Sequence, residues 1–502
     1  MTGSDTDDPT ATGARDAAGY RRDALLVAAS RMAPLAVQLV ATPFVIASIG
    51  TGAYAAWGLM MTTINLLLTA DLGVVGIMQR YHAVARGRAD TALAGRVTAT
   101  VLLVLGVLLA VVTLAGPAIA SAVLHVVDFP PAVAPAARQL FRNAGTLASL
   151  QLIALAFSSY LAAHSRFVAM AAVSLGARTV LAMSIVAALV SGHGLGGLLL
   201  ASYADAGTAV VLGAVMCRHH LLGEVRRPTT RVEGRELWAY AWRNQASALG
   251  FVAQRELDVL IAGAFLPTVG LATMSAAAPL TAAVCLAPTV LLTPLFTSLS
   301  VSAAHGEQAT ADEASRAEAA WLDLVLPFGA LVLGVLPFAA AAWIGPQVPG
   351  VVAVSAVLAV GFLISLVGSV RAILVRAVGK PGIETWSYGA FAIVKTAVGI
   401  GLATATGILG LAASGAIAST VAVVVLRRGS HRRILGAHRG LPPTRSFVQA
   451  GALLVLVGGA SWLVSVLLTA RLAELAALGL VAALGSALVL ASRRARPSIA
   501  PR

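Results

Sequence analysis

The chain has 502 residues, 58% hydrophobic and only 11% charged, against about 25% charged in an average soluble protein. Its mean hydropathy is +0.88, and apolar runs long enough to cross a bilayer recur from Ala24 to Ala491. These values exclude a soluble enzyme and a secreted disulfide scaffold, and the net charge of +14 sits in short loops rather than on a nucleic-acid-binding face.

In chain order, residues 1–23 are polar, lack the apolar core of a signal peptide, and read as a disordered cytoplasmic tail. Fourteen spans follow at about 24–49, 52–77, 97–126, 140–163, 167–191, 197–216, 245–266, 271–298, 321–343, 351–376, 386–406, 407–426, 447–468 and 472–491. Most exceed the roughly 20 residues needed to cross the hydrocarbon, so tilt or extension beyond it is expected. Pro279, Pro288 and Pro294 should kink or interrupt the eighth span. The region 79–96 could form an interfacial helix.

The spacing of the loops predicts an all-α polytopic membrane protein with two pseudo-symmetric six-helix bundles and two C-terminal helices. The N-terminal lobe is 24–216, followed by a basic cytoplasmic linker at 217–244. The C-terminal lobe is 245–426, followed by a basic loop at 427–446. Helices 13 and 14 occupy 447–491, and 492–502 is a cytoplasmic tail. With both termini cytoplasmic, the cytoplasmic segments hold most of the 35 Lys and Arg, and the external ones hold two, Arg138 and Arg471. That asymmetry is the positive-inside signature. It places a multi-pass protein in the cell (inner or plasma) membrane.

The loops constrain chemistry as well. The longest external loop, about 127–139, is too small for a glycosyltransferase domain. No GxxxxGK[ST] motif occurs, so energy must come from an ion gradient or the membrane potential. Cys217 and Cys285 are not placed for a structural disulfide. His219 and His220 are adjacent and cannot point the same way on a helix. No catalytic constellation, metal site or cofactor site can be assembled, and the chain is not expected to be an enzyme.

Polar stripes mark the interior. In the first span Arg31, Pro34, Gln38 and Thr42 fall on one helical side; in the seventh Ser247, Gln254 and Asp258 do so, beside Arg255 and Glu256. Facing lipid they would be costly, so they are expected to line a shared interior.

The stretch Gly50 to Asp90 carries an external Gly/Tyr/Trp turn, a helix ending in Asp71-Leu72-Gly73, and then Arg80-Tyr81. It resembles the first hairpin of the polysaccharide (O-antigen type) flippases of the MATE-like superfamily. The stretch RELDVLIAGAFLPTVGLATMSAA around Asp258 is similar to the start of their second half, and RAVGKP at 376–381 to their turn after span 10. The first helix, SRMAPLAVQLVATPF, lacks the Gly-x-x-Arg-Asp-like pattern of the lipid II flippase branch. The pair 447–491 exceeds the twelve helices usual in the multidrug extruders.

The resemblance implies a transporter that flips a polyprenyl-pyrophosphate-linked oligosaccharide from the cytoplasmic to the outer leaflet by alternating access. It also implies a groove for the lipid tail in the last two helices, a monomer, a coupling ion (H+ or Na+) and a polysaccharide polymerase as a partner; the bilayer is its medium, and no nucleic acid is expected. The alternative is a small-molecule or drug antiporter of the same superfamily.

Ionisable residues within the spans include Arg31, Asp71, Arg142, Arg178, Asp205, Arg255, Glu256, Asp258, Asp323, Arg371 and Lys395. A pyrophosphate headgroup needs cationic partners in a low-dielectric path, and Arg meets it bidentately. Arg31, Arg178, Arg255 and Lys395 are the candidate headgroup contacts, with Gln38, Thr42, Ser247 and Gln254 lining the cavity. Asp258, then Asp205, are the candidates for ion coupling. The competing reading makes the same charges internal ion pairs, Arg178 with Asp205 and Arg255 with Asp258. Arg371 and Arg142 lie nearer helix ends and are expected to snorkel. Asp71 is expected to cap or bridge the end of the second span.

Overall fold

The computed structural model describes residues 33–435 apart from 35–36, 72, 74–76, 79–80, 83–84, 86–89, 165, 225–230, 346 and 381. Arg31, Arg80 and the expected spans 447–468 and 472–491 lie outside the described residues. So do the side chains of His219, His220 and Ser247.

Every regular element among the described residues is helical, and the chain is an all-α polytopic membrane protein. Hydrocarbon offers no hydrogen-bond partners, and a helix satisfies its own backbone within one segment. The helices are α1 (Val37–Ile49), α2 (Thr51–Leu68), α3 (Thr91–Val126), α4 (Ala134–Ala163), α5 (Phe167–Val190), α6 (Gly194–Glu224), α7 (Arg231–Phe265) and α8 (Thr268–Leu286). After a 3-10 segment at Ala287–Leu292 come α9 (Thr293–Ala304), α10 (Glu307–Ile344), α11 (Val351–Val367), α12 (Ser369–Ala377), α13 (Gly382–Thr406) and α14 (Ile408–Ser430). Among the described residues nine helical segments are long and apolar enough to cross a membrane.

Several segments expected as loops are helix extensions. α3 begins at Thr91 and has 36 residues; α10 begins at Glu307 and has 38. At 1.5 Å per residue these reach about 54–57 Å, well beyond the ~30 Å hydrocarbon core. Hydropathy alone underestimates such helices because their ends stand in water or headgroups. The eighth span breaks where its prolines are dense. Pro279 is carried inside α8, whereas Pro288 lies in the 3-10 segment and Pro294 starts α9. A proline in the first turn forfeits no helical hydrogen bond.

The chain forms two compact units. Among the described residues, unit one takes in 70–120 and 139–242 together with those before 45, and unit two takes in 45–69, 121–138 and those from 243 to 435. Within unit one, α5 and α6 form a tight hairpin. α3 and α4 cross where Gly116 meets Gly145, and a Cβ on Gly116 would stand 3.0 Å from the Arg142 carbonyl oxygen. Within unit two, α13 pairs with α14, α11 lies against α8, α10 and α14, and α2 lies against α8. Small residues permit these approaches, because apolar lipid supplies no hydrophobic drive and packing must do the work. Gly361 meets the backbone of Gly415 and Ala416 at 3.0–3.1 Å from its would-be Cβ. The turn between α13 and α14 rests on Gly407 at φ 71, a conformation L side chains rarely adopt.

Candidate functional site

In unit one, Arg178 and Asp205 lie mid-helix on α5 and α6, and the hairpin brings them to one level. Arg178 Nη1 donates to Asp205 Oδ2 at 3.0 Å. The Asp205 side chain is 6% exposed and that of Arg178 32%. Arg178 Nε and Asp205 Oδ1 are buried with no hydrogen-bond partner. The pair is therefore joined by one bond rather than by the bidentate fork Arg can make, and it keeps unspent donor and acceptor capacity.

Unit two holds a deeper pair. Lys395 on α13 is wholly enclosed, and its Nζ stands 2.5 Å from Asp258 Oδ1 on α7. The same ammonium donates to the Leu411 carbonyl of α14 at 3.1 Å. Glycine makes the space: a Cβ at Gly415 would lie 3.3 Å from Nζ, and one at Gly399 would lie 3.2 Å from Ile261 and Ser414. Asp258 thus turns to Lys395 and not to Arg255, which is exposed on another side of α7. In the low-dielectric interior each charge is held only because the other is there.

Glu256, two residues earlier, faces a different neighbour. Thr62 Oγ1 donates to its Oε2 at 2.8 Å and Asn65 Nδ2 to its Oε1 at 3.0 Å, both from α2. α7 therefore carries two buried carboxyls on opposed sides, one met by a cation and one by a hydroxyl and an amide. The period of 3.6 separates residues i and i+2 by about 200° and dictates this.

A third cluster was not foreseen. Glu318 is 3% exposed. Its Oε2 accepts from Arg371 Nε at 2.8 Å, and its Oε1 accepts from Arg427 Nη2. Arg371, expected to snorkel, is instead buried on this carboxylate. Glu318 falls in a stretch read as a loop, yet Ala314, Glu318, Trp321 and Val325 recur at helical spacing and are all buried. That periodicity was the available signal; the low hydropathy around it hid the helix.

Of the remaining candidates, Gln38 is exposed, and buried Thr42 donates to the Gln38 carbonyl at 2.7 Å. Gln254 is half-buried, and Arg142 is exposed. Asp71 closes the end of the α2 region on itself, its Oδ1 accepting from the Gly73 amide at 3.2 Å. Cys217 and Cys285 are buried free thiols. Among the described residues no group of three or more His, Cys, Asp or Glu side chains could hold a metal ion.

No protein-family model matches the chain, and no curated protein matches it in sequence. Solved structures do match in fold. One is an inward-facing multidrug resistance MATE family transporter of the MOP superfamily, with TM-score 0.68 and 15% identity over 86% of this chain and 98% of that one. Another is the lipid II flippase MurJ in an inward closed conformation, with TM-score 0.66 and 10% identity over 93% and 99%. A third is a MOP superfamily transporter from Pyrococcus furiosus, whose binding pocket is described as reversed in polarity, with TM-score 0.58 and 16% identity over 82% and 95%. At these identities the likeness defines the fold: this polytopic chain has the architecture shared by MATE and MurJ transporters.

Proposed function

We propose that the protein is a transporter that flips a polyprenyl-pyrophosphate-linked oligosaccharide from the cytoplasmic to the outer leaflet by alternating access, for export of a cell-surface polysaccharide. The observation that carries this reading is Arg178: a mid-helix guanidinium one-third open, anchored by one bond to a buried carboxylate, in a fold that a lipid II flippase also has. Anchoring by Asp205 holds the guanidinium in place, and its free donors meet the pyrophosphate. Arg31 and Arg255 are the other headgroup contacts of this proposal, and Gln38, Thr42, Ser247 and Gln254 its polar lining residues. An inside-negative potential drives this anion outward, by about 2.3 kcal/mol per charge for each 100 mV.

Asp258 is the coupling group, and the exchanged ion is a proton. Lys395 Nζ already fills the cation position beside the carboxylate, which leaves a metal cation no place there. Protonating Asp258 cancels the charge that balances Lys395. The interior of unit two then gains one positive charge, and Lys395, enclosed as it is, attracts the anionic headgroup through that field rather than by contact. Asp205 is the second coupling group. The protein works as a monomer in the cell membrane with both termini cytoplasmic, and a polysaccharide polymerase takes up its product.

The test is reconstitution. Purified protein in liposomes is given a fluorescent polyprenyl-pyrophosphate glycan, and the share protected from a membrane-impermeant quencher is followed. Flipping that rises with an imposed proton gradient or potential, and is lost with Arg178→Ala, supports the reading. No flipping, together with gradient-driven movement of small organic cations, establishes the drug-antiporter alternative, which the fold of the multidrug MATE transporter also accommodates.

A further inference from the structure

One end of unit two gathers an unusual density of cations. Arg376 and Lys380 sit where α12 leads to α13, and Arg427, Arg428, Arg432 and Arg433 close α14 and the π-helical turn His431–Leu435 that follows it. These residues are built into one platform. Lys380 Nζ donates to the Arg433 carbonyl at 2.7 Å, tying the two segments together. Arg427 is held by Glu318, and Arg376 lies 3.4 Å from Glu384. Both of these carboxylates are buried, so the arginines they hold are fixed from below. Arg428, Arg432 and Arg433 are exposed above them.

The membrane-facing surface leads to the same place. On α14, Ile417 and Val424 are 45% and 40% exposed. At helical spacing their stripe runs through 417 and 424 into Arg428. On the neighbouring α13, Trp386 is 74% exposed at the same end, followed by Ile393 at 71% one heptad further in. An exposed Trp beside arginines marks headgroup depth. An apolar stripe that ends in exposed arginines fits an acyl chain below and a phosphate above.

We propose that this platform binds the headgroup of an acidic phospholipid of the surrounding bilayer, with Arg428, Arg432 and Arg433 contacting the phosphate and Ile417 and Val424 contacting an acyl chain. The positive-inside rule accounts for the sign of this charge. It does not account for exposed arginines set at the end of an exposed apolar stripe, on a platform whose Arg376 and Arg427 are anchored by buried carboxylates. The proposal stands whether or not the cargo is a lipid-linked glycan.

The experiment uses the full-length protein in zwitterionic nanodiscs doped with phosphatidylglycerol, with phosphatidylcholine as control, and native mass spectrometry counts retained lipid. Free inorganic phosphate and polyprenyl pyrophosphate are competitors. The expected result is retention of phosphatidylglycerol over phosphatidylcholine, not displaced by millimolar phosphate. Each arginine near the surface contributes about fivefold to binding, so R428Q/R432Q/R433Q should weaken retention on the order of 100-fold. The charge-conserving R428K/R432K/R433K should keep most of it, and it serves as the comparison if the glutamine variant fails to insert. Equal retention of the two phospholipids, or unchanged retention in the glutamine variant, overturns the proposal. Displacement by phosphate alone overturns the lipid as the source, and preferential displacement by polyprenyl pyrophosphate assigns the platform to the cargo instead.

Discussion

Arg178–Asp205 and Lys395–Asp258 are the same chemistry at two depths. Each joins an aspartate and a cation on apolar helices. In unit one the cation is one-third exposed and singly bonded; in unit two it is sealed, with a carboxylate and a carbonyl both on its ammonium. The difference follows from side-chain reach and helix spacing. A guanidinium is planar, weakly hydrated and able to share its donors, so it serves at a half-open position. An ammonium is a compact point charge that can be enclosed if glycines clear the space, as Gly415 and Gly399 do. A half-open pair can exchange its partner for a ligand. A sealed pair can change only by moving a proton or by parting its helices. One is thus suited to contact cargo and the other to couple.

The largest effect that would break this comparison comes from Asp258. Asp258→Ala leaves an ammonium buried without its counter-charge and should destabilise the protein by about 3–5 kcal/mol, read as a drop in thermal unfolding temperature in detergent. Replacing both partners, as D258L/K395M, should restore most of that stability while flipping stays lost. Recovery of transport in the double variant would remove the coupling role.

Arg178→Ala comes next. It leaves Asp205 buried, but beside a part-exposed rather than a sealed position, so the cost should be about 1–3 kcal/mol. Its larger consequence is weaker cargo binding, with Arg178→Lys keeping the charge and part of the affinity. Equal stability losses for Arg178→Ala and Asp258→Ala would show that the two pairs are not different in kind.

Gly415→Ala should be milder. The added Cβ meets the end of a flexible side chain at 3.3 Å, and overpacking of this sort costs about 1 kcal/mol. It sharpens the comparison by displacing the ammonium, so the proton dependence of transport should shift while unfolding changes little.

Smallest is Thr62→Val, which removes one interhelical hydrogen bond to Glu256 and should cost about 0.6 kcal/mol. Glu256 is hydrogen-bonded by a hydroxyl and an amide, so an effect as large as that of Asp258→Ala would mean that it, rather than Asp258, holds the essential charge.

Much of the fold was legible because hydrocarbon permits so few solutions. An apolar run of sufficient length must be a helix, and within the described residues most expected spans coincide with helices to within several residues; the exceptions are helix ends that leave the membrane, as at Thr91 and Glu307, and the second span, expected to 77, whose α-helix ends at Leu68. The proline signal also read correctly at Pro288. The pair Arg178–Asp205 could be anticipated because its partners lie on adjacent helices of one hairpin. The pair Lys395–Asp258 could not. Its residues are 137 positions apart, and the local alternative at Arg255 looked equally good.

The sequence by itself determined that this protein is helical and multi-pass, where its helices run, and which residues carry charge into the membrane. Those are matters of local transfer free energy, summed along a segment. Only the tertiary structure decided which charges meet, that Glu256 faces Thr62 and Asn65 while Asp258 faces Lys395, and that Glu318 holds two arginines. Partner choice depends on helix rotation and close approach. These are set by glycine contacts and packing between segments distant in the chain.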